Sequence, residues 1–450
     1  MKRLIPYIAI AISTSVFASC KKMIEVGPPK TQLTPEKAFA NDQAAVAVIS
    51  NVYALFNLLI EGHISPLLGI YTDELSTTSA NSSDLEFYNG FVSPANTENL
   101  NIWKNLYSVI YQSNALQENI DLSPGMTSST KKQLKAEARF LRALAYFYLV
   151  NLYGDVPLLL TTEVSSTSTA TRTPSLQVYS QIIGDLQEAE DNLTESYPSS
   201  DKVRANKWAA ASLLARVQLY QGDWSASELK ASSVITSGTY LPLEPLGAAF
   251  LMTSKETILQ FWTQDGFTQV ALQYLPSSGS LPTYPVTQEL MNSFETSDNR
   301  KAMWIDSIQS GTQAFHYPFK YKNRTPAQGG NEEYLVAFRL GELYLIRSEA
   351  RVRQGNIAGA ISDLNTIRSR AGLPDFISTV ESDILNAIYR ERKHELFAEW
   401  GHRFFDLKRS DQINQIMSGI KPGWRDASAL LPIPQYELLN NPNLTQNSGY

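Results

Sequence analysis

Apolar positions recur at three- and four-residue steps through most of the chain, and that period is helical. It is clearest over 131–150, where Leu134, Ala138, Leu141, Ala145 and Tyr148 share a face. Gly154-Asp155-Val156-Pro157 follows, and Gly with Pro ends a helix. The same period predicts helices near 103–120, 176–192, 206–220, 224–237, 333–353, 357–371 and 381–407. An earlier helix starts at Thr34-Pro35-Glu36 and runs to about Leu59; a capping residue, Pro in the first turn and an acid beside it suit a helix N-terminus. Three stretches break the pattern. Residues 72–99 are polar and irregular but carry Phe87, Tyr88 and Phe91, and 161–175 is a Ser/Thr-rich loop. Over about 240–330 the period is lost among Pro242, Pro245, Pro276, Pro282, Pro285 and Pro318. The C-terminus reads as extended and rich in Pro and Asn.

A faint repeat runs through the helices. Leu219-Tyr220-Gln221-Gly222-Asp223-Trp224 precedes a helix with Ala226 and Ala231, and Arg353-Gln354-Gly355-Asn356-Ile357 precedes one with Ala358 and Ala360. Both read as helix, tight Gly turn, antiparallel helix, with small residues allowing close packing, as in tetratricopeptide repeats.

The first residues change the picture. Met1-Lys2-Arg3 leads into an apolar run to Phe17, then Ala18-Ser19 and Cys20, the only cysteine in 450 residues. A charged start, an apolar stretch too short to span a bilayer comfortably and small residues before a cysteine form a cleavable signal with a lipid acceptor. The expected organisation is a signal peptide over 1–19, a lipidated spacer over 20–35 with Gly27, Pro28 and Pro29, and a binding domain over 36–450. That domain divides into an N-terminal part (about 36–240), an aromatic-rich irregular part (about 240–330) and a C-terminal helical part (about 331–450). With Cys20 acylated, no disulfide or Cys-ligated metal remains. Net charge of −6 argues against nucleic acid. Aromatics reach 10% with 18% charged residues, a composition that suits aromatic binding surface.

Several segments, in order along the chain, carry a resemblance. Residues 136–143 read Ala-Glu-Ala-Arg-Phe-Leu-Arg-Ala and continue through Tyr146-Phe147 to Leu152-Tyr153-Gly154-Asp155-Val156-Pro157. Trp103-Lys104-Asn105-Leu106-Tyr107 is followed by Ile110 and Asn114. Residues 342–350 lead to Ile367-Arg368 and Arg370-Ala371-Gly372-Leu373. Ile388, Glu391-Arg392, Glu395-Leu396 and Glu399 precede Arg403-Phe404-Phe405-Asp406, and Leu431-Pro432-Ile433-Pro434 lies near the end. Together these resemble the SusD/RagB family of outer-membrane nutrient-binding lipoproteins of Bacteroidetes. The resemblance implies an all-α fold: tetratricopeptide-like helix pairs forming a superhelical scaffold, an irregular loop-rich lobe and a few short strands at most. It implies a SusC-like TonB-dependent transporter as partner, an oligosaccharide or peptide as ligand, an outer-membrane, cell-surface location through the lipid, and no cofactor or bond-making chemistry.

A sugar ring offers a C–H face that stacks on an aromatic, and hydroxyls that need polar partners. The irregular stretches supply the candidates: Tyr71, Asp73, Asn81, Tyr88 and Phe91 in one, and Trp262, Tyr274, Tyr284 and Trp304 in the other. Trp103 and Trp208 lie in helical signatures and read as core. Glu391, Glu395 and Glu399 at i, i+4 and i+8 repel one another and call for nearby cations; Arg139, Arg142, Arg347, Arg368, Arg392 and Arg403 are available for a structural ion network. His394 and His402 do not fit a zinc-protease box, because position 398 is Ala. The competing enzyme reading is a secreted all-helical glycoside hydrolase of the α/α-barrel kind, which needs two carboxylates about 5–10 Å apart. A helical scaffold or adhesin without a small ligand is the third.

Overall fold

The computed structural model describes residues 35–450, so Cys20, the signal segment and nearly all of the spacer lie outside the described residues. After one turn at Pro35–Ala38 the chain restarts at Asn41, whose side chain caps α1 (Asp42–Leu59) by accepting from the Ala44 N–H. α1 passes through a π-turn (Ile60–Ile64) into α2 (Ser65–Tyr71), extending the helix past Leu59. Within the stretch read as irregular, Asn81 caps α3 (Ser82–Asn89), which ends on Gly90 at φ 85°.

The scaffold is a row of antiparallel helices: α4 (Thr97–Ile120), α5 (Ser128–Tyr153), α6 (Ser175–Asn192), α7 (Lys207–Tyr220) and α8 (Trp224–Thr236), each packed on the next, with α1 packed against both α4 and α5. α5 is buried on every side from Ala136 to its end except at Arg139, because helices cover more than its predicted apolar face. Gly154 at φ 74° stops it. α8 then packs against α12 (Leu340–Arg353), which pairs with α13 (Ile357–Arg370) and contacts α14 (Glu381–Leu396).

The two repeat copies are therefore consecutive steps of one stack. Each turns on a glycine with positive φ, Gly222 at 73° and Gly355 at 79°, where a side chain would be strained. Asp223 and Asn356 cap the second helices. Ser227 Oγ donates to the Ala215 carbonyl and Ser348 Oγ to the Ala360 carbonyl, at 2.9 and 2.7 Å. Arg351 reaches from α12 to Glu228 on α8 at 2.8 Å. Bidentate ion pairs also lock helices together: Arg142 to Asp185 between α5 and α6, and Arg347 to Asp363 between α12 and α13.

What separates the copies in sequence is the irregular lobe. It holds β1 (Thr257–Phe261), α9 (Gln269–Tyr274), α10 (Gln288–Ser293), α11 (Asn299–Trp304), the hairpin β2–β3 (Ile305–Ser310, Gln313–Pro318) and β4 (Leu335–Arg339). β1 and β4 form an antiparallel ribbon, with Thr257 opposite Arg339 and Phe261 opposite Leu335. The helix expected over 333–353 thus begins only at Leu340. An apolar run buried on both faces has no period to distinguish strand from helix, and pairing with β1 decides for strand.

The helix expected over 381–407 is also divided. α14 stops at Leu396, Ala398, Trp400 and Gly401 adopt φ of 55°, 54° and 73°, and α15 (His402–Arg409) follows. Positive φ cannot continue a right-handed helix. A Cβ at Gly401 would lie 2.3 Å from Leu68 Cδ1. Gly401→Ala is expected to cost about 1–3 kcal/mol, read as a lower urea midpoint.

The acidic stripe sits at this break. Glu395 bonds Arg339, Arg370 and Arg300; Glu391 pairs with Arg300 and Arg368; Glu399, now off the helix, meets Lys320 and Arg339. The ion network expected from the sequence exists, but its main cations come from the lobe and α13. Of the arginines expected there, only Arg368 joins it. Arg392 binds Asp406, Arg403 binds Asp73, and Arg139 pairs with Glu188.

Candidate ligand-binding groove

The fold brings the two irregular regions together. The chain after α2 runs extended beside 282–286: Ser76 N–H donates to the Pro285 carbonyl at 2.7 Å and Thr78 N–H to the Thr283 carbonyl at 3.0 Å. Val286 N–H donates to the His316 carbonyl of β3 at 2.8 Å, and Thr287 N–H to the Glu74 carbonyl at 3.0 Å. Tyr284 Oη donates to Asp84 of α3 at 3.2 Å. Segments about 200 residues apart thereby form one floor, and the groove above it has a volume of about 380 Å³, within the range that holds small ligands.

Tyr88 and Phe315 bring rings to this groove, with Gln313, His316 and Glu289 around them. The side chains of these last three make no hydrogen bond or ion pair among the described residues, whereas the Ser76, Thr77 and Thr78 hydroxyls are spent on the carbonyls of 282–285. Lys421 supports Tyr88 with its ammonium 4.7 Å from the ring centre, itself held by the Ile70 carbonyl at 2.5 Å. Burial pushes its pKa down to about 8. The site thus offers aromatic faces and uncommitted donors and acceptors.

The other sequence candidates divide sharply. Tyr71, Tyr274 and Trp304 are core and present no face to solvent. Tyr71 lies among Phe87, Phe404 and Trp424 and donates to the Ser428 carbonyl. The Trp304 indole N–H donates to the Leu246 carbonyl at 2.9 Å. Tyr274 packs edge-on to Tyr284, which is itself buried under the floor. Asp73 is buried too: Arg403 clasps it at 2.7 and 2.9 Å and Lys393 at 2.7 Å. Burial opposes its ionisation, yet these cations hold its carboxyl well below the usual range. These five are corrected to structural roles, because the lobe and α15 fold over them. Asn81 caps α3 and is exposed. Phe91 stacks on Tyr450 and carries the Arg425 guanidinium 4.0 Å from its ring centre. Trp262 is 57% exposed but lines a different pocket.

Sequence reasoning passed over Gln313, Phe315 and His316. The signal was present: Ser310-Gly311-Thr312 is a hairpin turn between residues of alternating character, with Gly311 at φ 60°. His394 and His402 are buried, His394 stacked on Phe294. Burial pushes both below the ordinary imidazole range.

Comparison with known proteins decides what kind of molecule carries this groove. A family profile described as starch-binding and associating with the outer membrane matches residues 64–219, and a SusD family profile matches 292–450. The chain belongs to the SusD/RagB family. A SusD-like protein, P25, of Formosa agariphila is 25% identical, with 96% of this chain and 97% of that protein covered. The starch-binding protein SusD of Bacteroides thetaiotaomicron is 25% identical over 74% of this chain and 75% of its own length. Among solved structures, a laminarin-binding SusD-like protein superposes with a TM-score of 0.78 at 26% identity, covering 92% of this chain and all of that one. SusD-like proteins bind glycans and are not enzymes. The helix-pair fold of this chain is theirs.

Proposed function

We propose that this SusD-like protein is a non-catalytic glycan-binding lipoprotein of the outer membrane that holds an oligosaccharide in the Tyr88–Phe315 groove and delivers it to a SusC-like TonB-dependent transporter. The observation that carries the reading is the groove: two aromatic rings beside Gln313, His316 and Glu289, three polar side chains with no partner among the described residues, on a chain of a glycan-binding family. Aromatic faces suit the C–H side of a sugar, and free amide, imidazole and carboxylate groups suit its hydroxyls. The organisation expected from the sequence fits this role. Residues 1–19 are removed, Cys20 is acylated, and the spacer to Pro35 lets the domain stand off a membrane it faces from outside. Acyl chains contribute about 0.8 kcal/mol per buried CH₂, so more than one holds durably.

Tyr88→Ala and Phe315→Ala are each expected to weaken binding of the cognate glycan about tenfold, or about 1.4 kcal/mol, by calorimetry. Unchanged affinity in both would remove the groove from the assignment. Steady release of new reducing ends from the bound glycan would instead favour the hydrolase reading. Co-purification of a TonB-dependent transporter with the acylated protein, lost on Cys20→Ala with export intact, tests delivery.

A further inference from the structure

Trp262 stands outside the groove, and its setting has the features of a second site. Phe261 closes β1 inward, 5.9 Å from Phe56 and 5.7 Å from Trp400. Side chains alternate along a strand, so the next residue turns out. Trp262 ends 57% exposed, beside a pocket of about 210 Å³ between the strand end, one face of α1 and Arg204. That volume is below that of a typical drug-sized site and suits one ring rather than a chain.

Two polar groups at this pocket are fixed in advance. Arg204 is gripped by the fully buried Glu137, through Nε at 3.0 Å and Nη2 at 2.5 Å, and Tyr53 Oη holds the same carboxylate at 3.0 Å. Asn57 is 6% exposed; its Nδ2 donates to Glu61 at 3.1 Å, and its Oδ1 has no partner among the described residues. Turning the amide over would leave Nδ2 in that place instead. A buried polar atom without a partner is costly, and a ligand hydroxyl is a group that can satisfy it. An exposed indole, an amide whose oxygen is unpaired among the described residues and a clamped guanidinium around one small pocket form a stacking platform with hydroxyl-binding groups.

We propose that this pocket is a second sugar subsite, which takes one pyranose ring of a glycan on Trp262 with its hydroxyls bonded to Asn57 and Arg204. It rests on the glycan reading above and shares no lining residue with the groove. Two separate contacts on one polysaccharide raise avidity without tighter binding at either.

Native affinity electrophoresis through a panel of polysaccharides, laminarin and soluble starch among them, tests it with wild type, Trp262→Ala, Trp262→Phe and the Tyr88→Ala/Phe315→Ala pair. Trp262→Ala is expected to weaken retardation at least fivefold on the glycan that wild type binds, with Trp262→Phe keeping most of it. The groove pair should retain weak retardation. Native mass spectrometry with a short oligosaccharide of that glycan should count two bound on wild type and one on Trp262→Ala. If wild type is retarded and Trp262→Ala matches it, the second subsite is overturned and the groove stands. If the groove pair abolishes all binding, the pocket is not a site in its own right. If no glycan retards wild type, the functional reading falls and the subsite with it. Trp262 is exposed, so a melting curve matching wild type is the expected folding control.

Discussion

Arg339→Met is expected to destabilise the protein by about 3–5 kcal/mol, because removing one partner leaves buried charge uncompensated. Arg339 is 2% exposed. Its Nη1 bonds Glu395, its Nη2 meets Glu399 at 3.0 Å and the Glu395 carbonyl at 2.7 Å, and Glu256 lies 3.8 Å away. Around it Asp298, Glu256, Glu295, Glu391, Glu395 and Glu399 pair with Arg300, Arg339, Arg368, Arg370 and Lys320. Glu395, Glu399 and Glu256 each keep another cation, but deleting Arg339 leaves the buried cluster with an uncompensated negative charge. Glu188→Ala, which removes a partner of Arg139 that is 58% exposed, should change stability by no more than about 1 kcal/mol. Urea unfolding of the three proteins makes the comparison, and equal losses in the two variants would refute the ranking. Two arginine-clasped carboxyls, Glu395 in the network and Asp406 outside it, set the acid limit. Burial opposes ionisation of Glu395 and Asp406, yet neighbouring arginines hold both below the usual carboxylate range. Carboxyls so depressed contribute fully above an unfolded pKa near 4, and that stability is lost as pH falls through the folded values.

Glu61→Gln should do the reverse and stabilise the protein at alkaline pH. Glu61 sits in the π-turn at 1% exposure, facing the Gln269 N–H at 3.1 Å and Asn57, with no cation paired to it among the described residues. Burial pushes its pKa from 4.5 up to about 8. Between those values the folded protein keeps a proton that the unfolded chain has lost. Stability is therefore full below about 4.5, declines as pH rises, and levels off above about 8. Glutamine has no proton to lose. The stability of the variant relative to wild type should grow by about 1.4 kcal/mol per pH unit, reaching about 4 kcal/mol between pH 5 and pH 8. Guanidinium unfolding at several pH values measures it, and a constant difference across that range would reject a protonated Glu61.

The helix pairs were legible because their signals are local. Apolar steps of three and four, Gly222 and Gly355 at the turns, and Asp223 and Asn356 as caps each act within a turn or two of helix. Even the ion network showed half of itself, since Glu391 and Glu395 at one helical spacing demand cations. Which cations answer was not legible. Arg300 and Arg339 lie about 95 and 56 residues from Glu395, and no pattern along the chain relates them. The break at Ala398–Gly401 was missed for a related reason: Ala398 and Trp400 give no warning of positive φ, and tertiary contacts hold them there.

The candidate site divides along the same line. The two irregular stretches were recognisable as places where binding groups gather, because Pro, Gly and polar residues deny them a helical period. Which aromatics there meet solvent depends on what folds over them. Tyr71 and Trp304 have the same side-chain chemistry as Tyr88 and Trp262, yet the first two are enclosed and the last two are not. Burial is decided by partners far along the chain, as with Ser428, 357 residues from Tyr71, and Leu246, 58 residues from Trp304. By itself the sequence determined a helical-pair scaffold, an interrupting lobe and the family signatures, all carried by short-range periodicity and turn chemistry. Only the tertiary structure joined 75–78, 282–287 and 313–316 into a groove and set Trp262 apart on its own pocket, because those neighbours are made by chain crossings that no local pattern encodes.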